Sequence, residues 1–259
     1  MSGVIKILYA GDGSIRGEME IKGGEIITYV SRIMDAAVYL RKALEEDPEI
    51  SLTHMSPMVA FSEFPKRVED LTNNYDVLIL SDIGYETLVL SPGGVKPESL
   101  TITPNRLKEI KKYVEKGGGL AYCGGYFTFQ GRYGRGNWYG TPVAKILPVE
   151  ILPLPDDRVE SPEGVKPEII EKNHPVMKGI EWNTCPEFFG YNRCGKVKEG
   201  GILLGKIEGD PFIVVGEYGK GRILVFSSDP VLHWGANFVE WEYYSKFWNQ
   251  TVRWLAKKN

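Results

Sequence analysis

Short apolar runs alternate with longer amphipathic stretches through the first half of the chain. The apolar runs that predict strands cover residues 4–10, 51–54, 76–81 and 119–123. Most of them are almost unbroken, which is typical of strands buried on both faces of a parallel sheet. Residues 25–44 carry apolar side chains at helical spacing and predict a long helix, which Asp47 and Pro48 end. A short helix is predicted over residues 64–71.

The clearest helix start lies at residues 103–107. Thr103 is a residue type that caps helices, Pro104 suits the first helical position, and Ile102 can pack against Leu107. The alternation of strands and helices predicts an α/β fold with a doubly wound, mainly parallel sheet and helices on both faces. Folds of this class bind ligands at the carboxyl ends of their strands.

The second half of the chain has a different pattern. Residues 149–170 are rich in proline and acidic residues, and they predict an irregular excursion. Extra C-terminal strands, joined by glycine turns, are predicted at residues 201–205, 212–216 and 222–226. The terminal helix places large apolar residues on one face: Trp241, Tyr244, Trp248, Val252 and Leu255. We expect residues 1–259 to form a single α/β domain.

Composition narrows the classes of function. The chain has 259 residues, with 31 Lys and Arg against 34 Asp and Glu and a formal net charge of −3. With no basic run, neither nucleic acid nor a membrane is expected as a partner. The three cysteines lack paired spacing, so neither a disulfide framework nor a metal site is predicted.

The sequence shows neither a targeting or membrane segment nor a complete dinucleotide-binding motif. The apolar N-terminal run is too short for a signal peptide, and no segment has the length of a membrane span, so the protein is expected to be cytoplasmic. The turn after this run, residues 11–17, lacks the last glycine of the dinucleotide motif. No cofactor is therefore predicted.

Cys123 is the first candidate for chemistry. It ends a predicted strand, and the small residues Ala121 and Gly125 flank it, as in a strained turn that exposes a nucleophile. No long helix is predicted behind it, although such turns normally lead into one. A buried cysteine at the end of a central strand explains the same pattern equally well.

His233 lies just past the last predicted strand, where α/β folds place reactive groups. As a general base it would convert Cys123 to a thiolate, and Asp229 and Glu240 are the nearest carboxylates in sequence that could orient it. The alternative is a structural histidine that packs on Trp234.

Aromatic residues cluster in residues 122–140. Seven of these 19 residues are aromatic, or about 37%, whereas aromatic residues make up 12% of the whole chain. Arginines lie among them. Tyr126 and Trp138 would suit the binding of a small polar ligand such as a sugar. A surface that forms a homo-oligomer and simple packing of a loop are the alternatives.

Polar residues also follow the first and third predicted strands. Asp12 comes after the first strand, and Asp82 and Tyr85 follow the third. Because the carboxyl ends of parallel strands share one edge of a sheet, we expect these side chains to contact a small-molecule ligand there.

Several longer segments resemble a family of glutamine amidotransferase-like proteins. They are residues 75–84, 104–107, 117–131, 141–149 and 228–235, together with the aromatic terminal helix. The resemblance covers nearly the whole chain and implies a flavodoxin-like, class I glutamine amidotransferase-like fold. In active class I enzymes a cysteine attacks the glutamine side-chain amide, a histidine activates the cysteine, and a glutamate two residues further on orients the histidine.

By this resemblance Cys123 takes the position of the nucleophile, Gly124 provides an oxyanion donor, and Gly84 lies in the facing loop. His233 matches the histidine approximately, but Gly235 stands where the family has its glutamate. Two functions are therefore predicted as alternatives. One is cysteine-dependent hydrolysis of glutamine or a related amide, and the other is non-catalytic binding of a small ligand, such as a carbohydrate, by the same fold.

Overall fold

The computed structural model of the protein describes residues 3–90 and 103–258. The strands of the first half are β1 (Ile5–Gly11), β2 (Gly13–Lys22), β3 (Glu25–Asp35), β4 (Ile50–Met55), β5 (Val77–Ser81) and β6 (Gly119–Cys123). Those of the second half are β7 (Val149–Ile151), β8 (Arg158–Val165), β9 (Glu168–Ile169), β10 (Phe188–Asn192), β11 (Cys194–Val197), β12 (Ile202–Ile207), β13 (Asp210–Tyr218) and β14 (Gly221–Phe226). The α-helices are α1 (Val38–Glu45), α2 (Pro57–Glu63), α3 (Val68–Thr72), α4 (Tyr85–Val89), α5 (Arg106–Lys116) and α6 (Tyr244–Leu255).

The main sheet has the strand order β4-β1-β5-β6-β14-β13-β12-β9. The first five strands in this order are parallel, and the other three are antiparallel to their neighbours. The parallel part therefore has the strand order of flavodoxin-like sheets. The predicted α/β fold, with a mainly parallel sheet and extra C-terminal strands, is confirmed.

The core lies on both faces of this sheet, because successive residues of a strand point to opposite sides. In β1, Ile7 and Tyr9 face the side covered by α1 and α6, whereas Leu8 and Ala10 face the side covered by α2, α3 and α5. Every residue of β5 and β6 is buried. This burial explains why the sequence shows unbroken apolar runs there.

The long helix predicted over residues 25–44 is wrong for most of its length. Its first eleven residues form β3, which pairs with β2 in an antiparallel hairpin, and α1 begins only at Val38. The apolar residues of β3 are mostly β-branched, and they stand opposite residues of β2, as Ile26 does opposite Ile21. Cross-strand pairing decided the structure of a segment whose apolar spacing also fits a helix.

Helix α5 begins later than the sequence pattern predicts. Its cap is Asn105 rather than Thr103, because the Asn105 side-chain oxygen accepts hydrogen bonds from two backbone amides of the first turn, at 3.0 and 3.3 Å. The predicted packing of Ile102 lies outside the described residues. Gly117 follows the helix with a φ of 124°. Of the helix predicted over residues 64–71, only the second half is helical, as α3, and α2 ends just before the predicted range.

Residues 149–170 contain more regular structure than their composition predicts. Strands β7, β8 and β9 lie in this segment and pair with β11, β10 and β12, which come later in the chain. A local pattern cannot show such pairing. The predicted C-terminal strands and their turn between Tyr218 and Gly221 are confirmed. The terminal helix is confirmed from Tyr244 onward, whereas Trp241 lies before its first residue.

Candidate functional site

Neighbouring parallel strands end together at one edge of the sheet. Gly11 at the end of β1 lies opposite Ser81 at the end of β5, and the amide of Asp12 donates to the carbonyl oxygen of Ser81 at 3.2 Å. Cys123, the last residue of β6, pairs with Phe226 at the end of β14. The residues that follow these strands therefore share the edge at which doubly wound sheets bind ligands.

The backbone at this edge adopts unusual conformations. Asp12, Asp82 and His233 have φ angles of 49°, 41° and 91°, in a region that residues with side chains rarely occupy. At Gly125, a Cβ atom would lie 2.7 Å from Oδ1 of Asp82 and 2.9 Å from Oδ1 of Asp229. Both carboxyl groups therefore pack against the same glycine. Strained backbone of this kind concentrates at functional sites.

Asp12 is buried and bonded within the fold. The Tyr9 hydroxyl donates to its carboxylate, and its carbonyl oxygen accepts from the amides of Ala36 and Ala37 at 3.0 and 3.1 Å. Burial, followed by the charge of Asp82, raises the pKa of Asp12 well above its ordinary value. Asp12 thus ties the base of the β2–β3 hairpin to the sheet, and its carboxyl group has almost no surface to offer a ligand.

Asp82 is more exposed than the other two carboxyl groups. Its Oδ1 accepts a hydrogen bond from the amide of Phe127 at 2.7 Å. Burial and the charge of Asp229 raise the pKa of Asp82 to about 7, although the Phe127 amide and the charge of His233 act in the opposite direction. A carboxyl group with a pKa near neutrality both gives and takes protons at physiological pH.

Asp229 and His233 form a hydrogen-bonded pair beside Asp82. Nδ1 of His233 lies 2.9 Å from Oδ2 of Asp229, which also accepts from the amide of Trp234 at 3.3 Å. Burial would lower the pKa of His233, but the hydrogen bond and charge of Asp229, helped by the charge of Glu160, raise it above its ordinary value. This arrangement leaves Nε2 without a hydrogen-bond partner among the described residues, on a side chain that is 46% exposed. A carboxylate that orients an imidazole in this way prepares it for proton transfer.

Cys123 lies beneath this edge rather than on it. Its side chain is fully buried in a core cluster that includes Phe226. Burial raises the pKa of the Cys123 thiol well above its ordinary value, and the charges of Asp12 and Asp229 raise it further. Nucleophilic cysteines have the opposite properties, a lowered pKa and an accessible sulfur. In the described part of the chain no hydrogen bond joins Cys123 to His233.

The backbone amides at the predicted oxyanion position already have partners. The amide of Gly124 donates to the carbonyl oxygens of Phe226 and Ser228 at 2.8 and 3.0 Å, and the amide of Gly125 donates to Oδ1 of Asn192 at 2.8 Å. A Cβ atom at Gly124 would lie only 2.5 Å from the nearest backbone oxygen. The turn is therefore closed by packing, and its amides are not free to hold an oxyanion.

Asn192 fixes this turn, and nothing in the sequence pattern identifies it. It is fully buried at the end of β10, and its Nδ2 donates to the carbonyl oxygen of Gly125 at 3.1 Å and to Asp157 at 3.0 Å. Asn192 belongs to no motif and has no characteristic spacing from the other site residues. Only the packing of β10 against the end of the sheet reveals its role.

Gly84 and Tyr85, two further predicted site residues, lie at the start of α4. The amide of Tyr85 donates to the carbonyl oxygen of Gly136 at 3.1 Å, and a Cβ atom at Gly84 would lie 3.5 Å from the carbonyl oxygen of Arg135. The loop of residues 126–138 therefore packs on the start of this helix. Both residues are partly exposed.

The aromatic segment divides between core and surface. Trp138 is fully buried, and its indole N–H donates to the carbonyl oxygen of Ile83 at 3.0 Å, so it packs the loop and has no face for a ligand. Tyr126 is partly exposed; its ring lies edge-on to His233 at a centroid distance of 4.6 Å, and its hydroxyl donates to Glu160 at 3.1 Å. The structure brings Tyr126 to the site and places Trp138 in the core.

A shallow depression of about 360 Å³ opens beside the histidine. It is lined by Glu160, Pro162, Phe189, His233 and Trp234. This volume suits a small ligand. Its contact with His233 distinguishes it from depressions of similar volume elsewhere on the surface. The described residues include no group of three or more His, Cys, Asp or Glu side chains that could hold a metal ion.

A family model described as GATase1_like, "Putative glutamine amidotransferase", matches residues 6–257. No curated protein matches the chain. Within the described residues, no helix combines the length and the apolar character needed to cross a membrane.

Several solved structures share the fold. Two Salmonella typhimurium proteins described as cytoplasmic are similar to this chain, with 33% and 34% sequence identity and TM-scores of 0.88 and 0.87; each comparison covers 97% of this chain and 99% of the other. A ThuA-like protein from Parabacteroides merdae has 11% identity and a TM-score of 0.55, over 98% of this chain and 90% of the other, and shares the fold alone.

Proposed function

The chain belongs to the GATase1-like family of glutamine amidotransferase-like proteins, and on this premise we propose that it binds a small polar ligand at the carboxyl edge of its sheet without using a cysteine nucleophile. Asp82 and His233 are the groups that form hydrogen bonds with the ligand. The observation that carries the proposal is the Asp229–His233 pair, which stands beside Asp82 at the edge where Cys123 is buried.

The surroundings of Cys123 disfavour cysteine-dependent hydrolysis of an amide. An attack by Cys123 would need a thiolate at the surface, but the thiol is buried and burial raises its pKa. It would also need a free amide to hold the oxyanion, whereas the amide of Gly124 is bonded to two carbonyl oxygens. Both requirements fail at the same turn.

The electrostatics of the edge indicate the chemical class of the ligand. The charge of Asp229 raises the pKa of both Asp12 and Asp82, and the charge of Asp82 raises that of Asp12, so the edge disfavours a further negative charge. Hydroxyl groups can donate to a carboxylate and accept from a protonated histidine. The partly exposed ring of Tyr126 lies beside His233, and the next residue in the chain, Phe127, is also exposed. A neutral, hydroxyl-bearing molecule of the size of a sugar fits this combination.

A thermal-shift screen of neutral sugars and polyols, with glutamine included, tests the proposal. We expect at least one sugar or polyol to stabilise the wild type and Cys123→Ala but not Asp82→Asn, each variant being compared with its own ligand-free Tm. A ligand at about ten times its Kd adds about 1.4 kcal/mol, or about 3–6 °C in Tm for a chain of this size. A shift that survives in Asp82→Asn, or no shift with any of these compounds, would contradict the proposal.

Alkylation of the cysteines tests the other half of the proposal. Iodoacetamide and a glutamine-mimicking alkylator are applied to the folded and the urea-unfolded protein, and adducts are located by mass spectrometry. Cys185 and Cys194 are also buried and act as internal controls. We expect Cys123 to react only after unfolding, together with the other two. Selective modification of Cys123 in the folded protein, with ammonia released from glutamine, would establish a cysteine mechanism instead.

A further inference from the structure

The hairpin formed by β2 and β3, here called the arm (residues 13–35), exposes nearly all of its side chains. It starts directly after Asp12 and returns to the body at Ala36, whose amide donates to the Asp12 carbonyl oxygen at 3.0 Å. β2 and β3 pair only with each other and form a separate two-stranded sheet. A two-stranded hairpin is marginally stable by itself in water. The arm is therefore a candidate for packing against another surface.

The two faces of the arm differ sharply in polarity. Residues directly opposite each other in an antiparallel pair lie on the same face, so the register separates an apolar face from a charged one. The apolar face carries Ile15, Met19, Ile21, Ile26, Val30 and Ile33. The other face carries most of the charge of the arm: Arg16, Glu18, Glu20, Lys22, Glu25 and Arg32. A sheet with this alternation normally buries its apolar face.

The uncovered apolar area is large for a single chain. The six apolar side chains are between 49% and 76% exposed. If a large side chain exposes about 200 Å² when free, they present roughly 700 to 800 Å² of surface. The largest apolar patch on a typical monomer is about 300–600 Å², whereas a stable interface buries about 800 Å² on each partner. The area therefore matches one half of a dimer interface.

We propose that a second copy of this chain covers the arm, with the apolar faces of the two arms packed against each other about a two-fold axis. A two-fold axis presents the same patch on both copies, so a flat apolar ribbon can be its own partner. Two sheets packed face to face at about 10 Å would exclude water from all six apolar side chains. The charged faces stay in solvent on the outside of the pair.

This interface differs from the oligomer surface that the aromatic segment suggests in the sequence. Tyr122, Phe129 and Trp138 of that segment are fully buried within the chain, so they cannot form a contact with another copy. Its exposed rings are Phe127, Tyr133 and Tyr139, which is half the number of exposed apolar side chains on one face of the arm. The arm instead supplies a continuous apolar face. Because it begins at Asp12, the arm would also bring the dimer contact to the base of the carboxyl edge of the sheet.

Two neighbouring isoleucines of β3 provide a matched test. Ile26 lies on the apolar face and is 66% exposed, whereas Ile27 lies on the charged face and is 47% exposed. Ile26→Glu and Ile27→Glu introduce the same charge one residue apart. Because both side chains are exposed, neither substitution should change the far-ultraviolet circular dichroism or the Tm of the folded chain beyond the loss of the dimer itself.

Light scattering coupled to size exclusion, run on the full chain from about 1 to 100 μM, gives the oligomeric state. We expect a dimer for the wild type, a dissociation constant at least about 100-fold higher for Ile26→Glu, and a change of less than about 3-fold for Ile27→Glu. A wild type that is monomeric at about 100 μM would overturn the proposal. A dimer that both variants weaken equally, or that Ile26→Glu leaves intact, would overturn it as well.

Discussion

Asp82→Asn is expected to stabilise the protein at alkaline pH, although it removes a residue of the candidate site. The pKa of Asp82 is raised to about 7 in the folded state, by burial and by the charge of Asp229. In the unfolded chain an aspartate has a pKa of about 3.9. Asparagine has the same shape, keeps an oxygen that accepts from the Phe127 amide, and carries no charge to be repelled.

The magnitude follows from the difference between the two pKa values. A shift of about 3 units corresponds to about 4 kcal/mol. Because Asp82 is partly exposed and shares protons with Asp229, we expect about half of this, or about 2 kcal/mol. Below a pH of about 4 the carboxyl group is protonated in both the folded and the unfolded state, so it does not lower the free energy of unfolding. The cost grows as the pH rises from about 4 and is complete above the folded pKa of about 7.

Urea unfolding of the wild type and Asp82→Asn at a series of pH values measures this effect. The free energy of unfolding of the variant should exceed that of the wild type by about 2 kcal/mol at pH ~8, and the two should converge near pH ~4. This outcome would mean that the fold maintains a destabilising carboxylate at its site, a common cost of function.

Asp156→Asn is the matched control. The hydrogen bond from Arg158 is the main cause that lowers the pKa of Asp156 to about 2. The ionised carboxylate of Asp156 therefore stabilises the fold, whereas that of Asp82 destabilises it. Asp156 stabilises the fold above the unfolded pKa of about 3.9, and this contribution is lost as the pH falls toward 2. The asparagine variant should therefore be less stable than the wild type at pH ~8, by about 1 kcal/mol. If Asp82→Asn were equally destabilising at every pH, burial and repulsion at this edge would be refuted as the source of the raised pKa.

Three further predictions concern single residues. In NMR titrations His233 should show a pKa above its ordinary value, and Asp229→Asn should lower this pKa. The stability that the pair contributes is present below the unfolded pKa of about 6.5 and is lost as the pH rises through the folded pKa. An unchanged pKa of His233 in the variant would count against the hydrogen bond. Asn192→Ala should lower the free energy of unfolding in urea by about 2–3 kcal/mol, because it leaves the buried amide of Gly125 unpaired; a loss below about 0.5 kcal/mol would show that water replaces the side chain. Trp138→Ala should cost about 3–5 kcal/mol in the same assay, and a loss under about 1 kcal/mol would place the indole at the surface.

Much of the parallel sheet could be predicted from local pattern. The runs that became β1, β5 and β6 are almost entirely apolar because both faces of these strands are covered by helices. Gly117 and the turn between Tyr218 and Gly221 were equally readable, since chain reversals of this kind restrict the residue types that fit. In each case the signal lies within a few residues.

The arm could not be predicted in the same way. Apolar residues at positions 26, 30 and 33 fit one face of a helix, but they also fit one face of a strand once β3 contains an irregularity, and the register of β2 and β3 does shift at Arg16 and Gly17. The choice depends on a partner strand several residues away. Periodicity within one segment carries no information about that partner.

In the candidate site, too, the sequence predicts some features and only the tertiary structure decides the others. From sequence alone, Asp82, Cys123 and His233 can be assigned to the carboxyl ends of strands or to the loops that follow them, because a parallel sheet puts those ends on one edge. The tertiary structure decided that Cys123 is covered by Phe226 and its neighbours, that the amides of the turn are bonded to Ser228 and Asn192, and that Asp229 pairs with His233. Accessibility, pKa and hydrogen bonding depend on groups brought close by the fold from distant parts of the chain. A residue's type and its neighbours in sequence therefore specify which chemistry it could perform, whereas its packing in three dimensions decides which chemistry remains open to it.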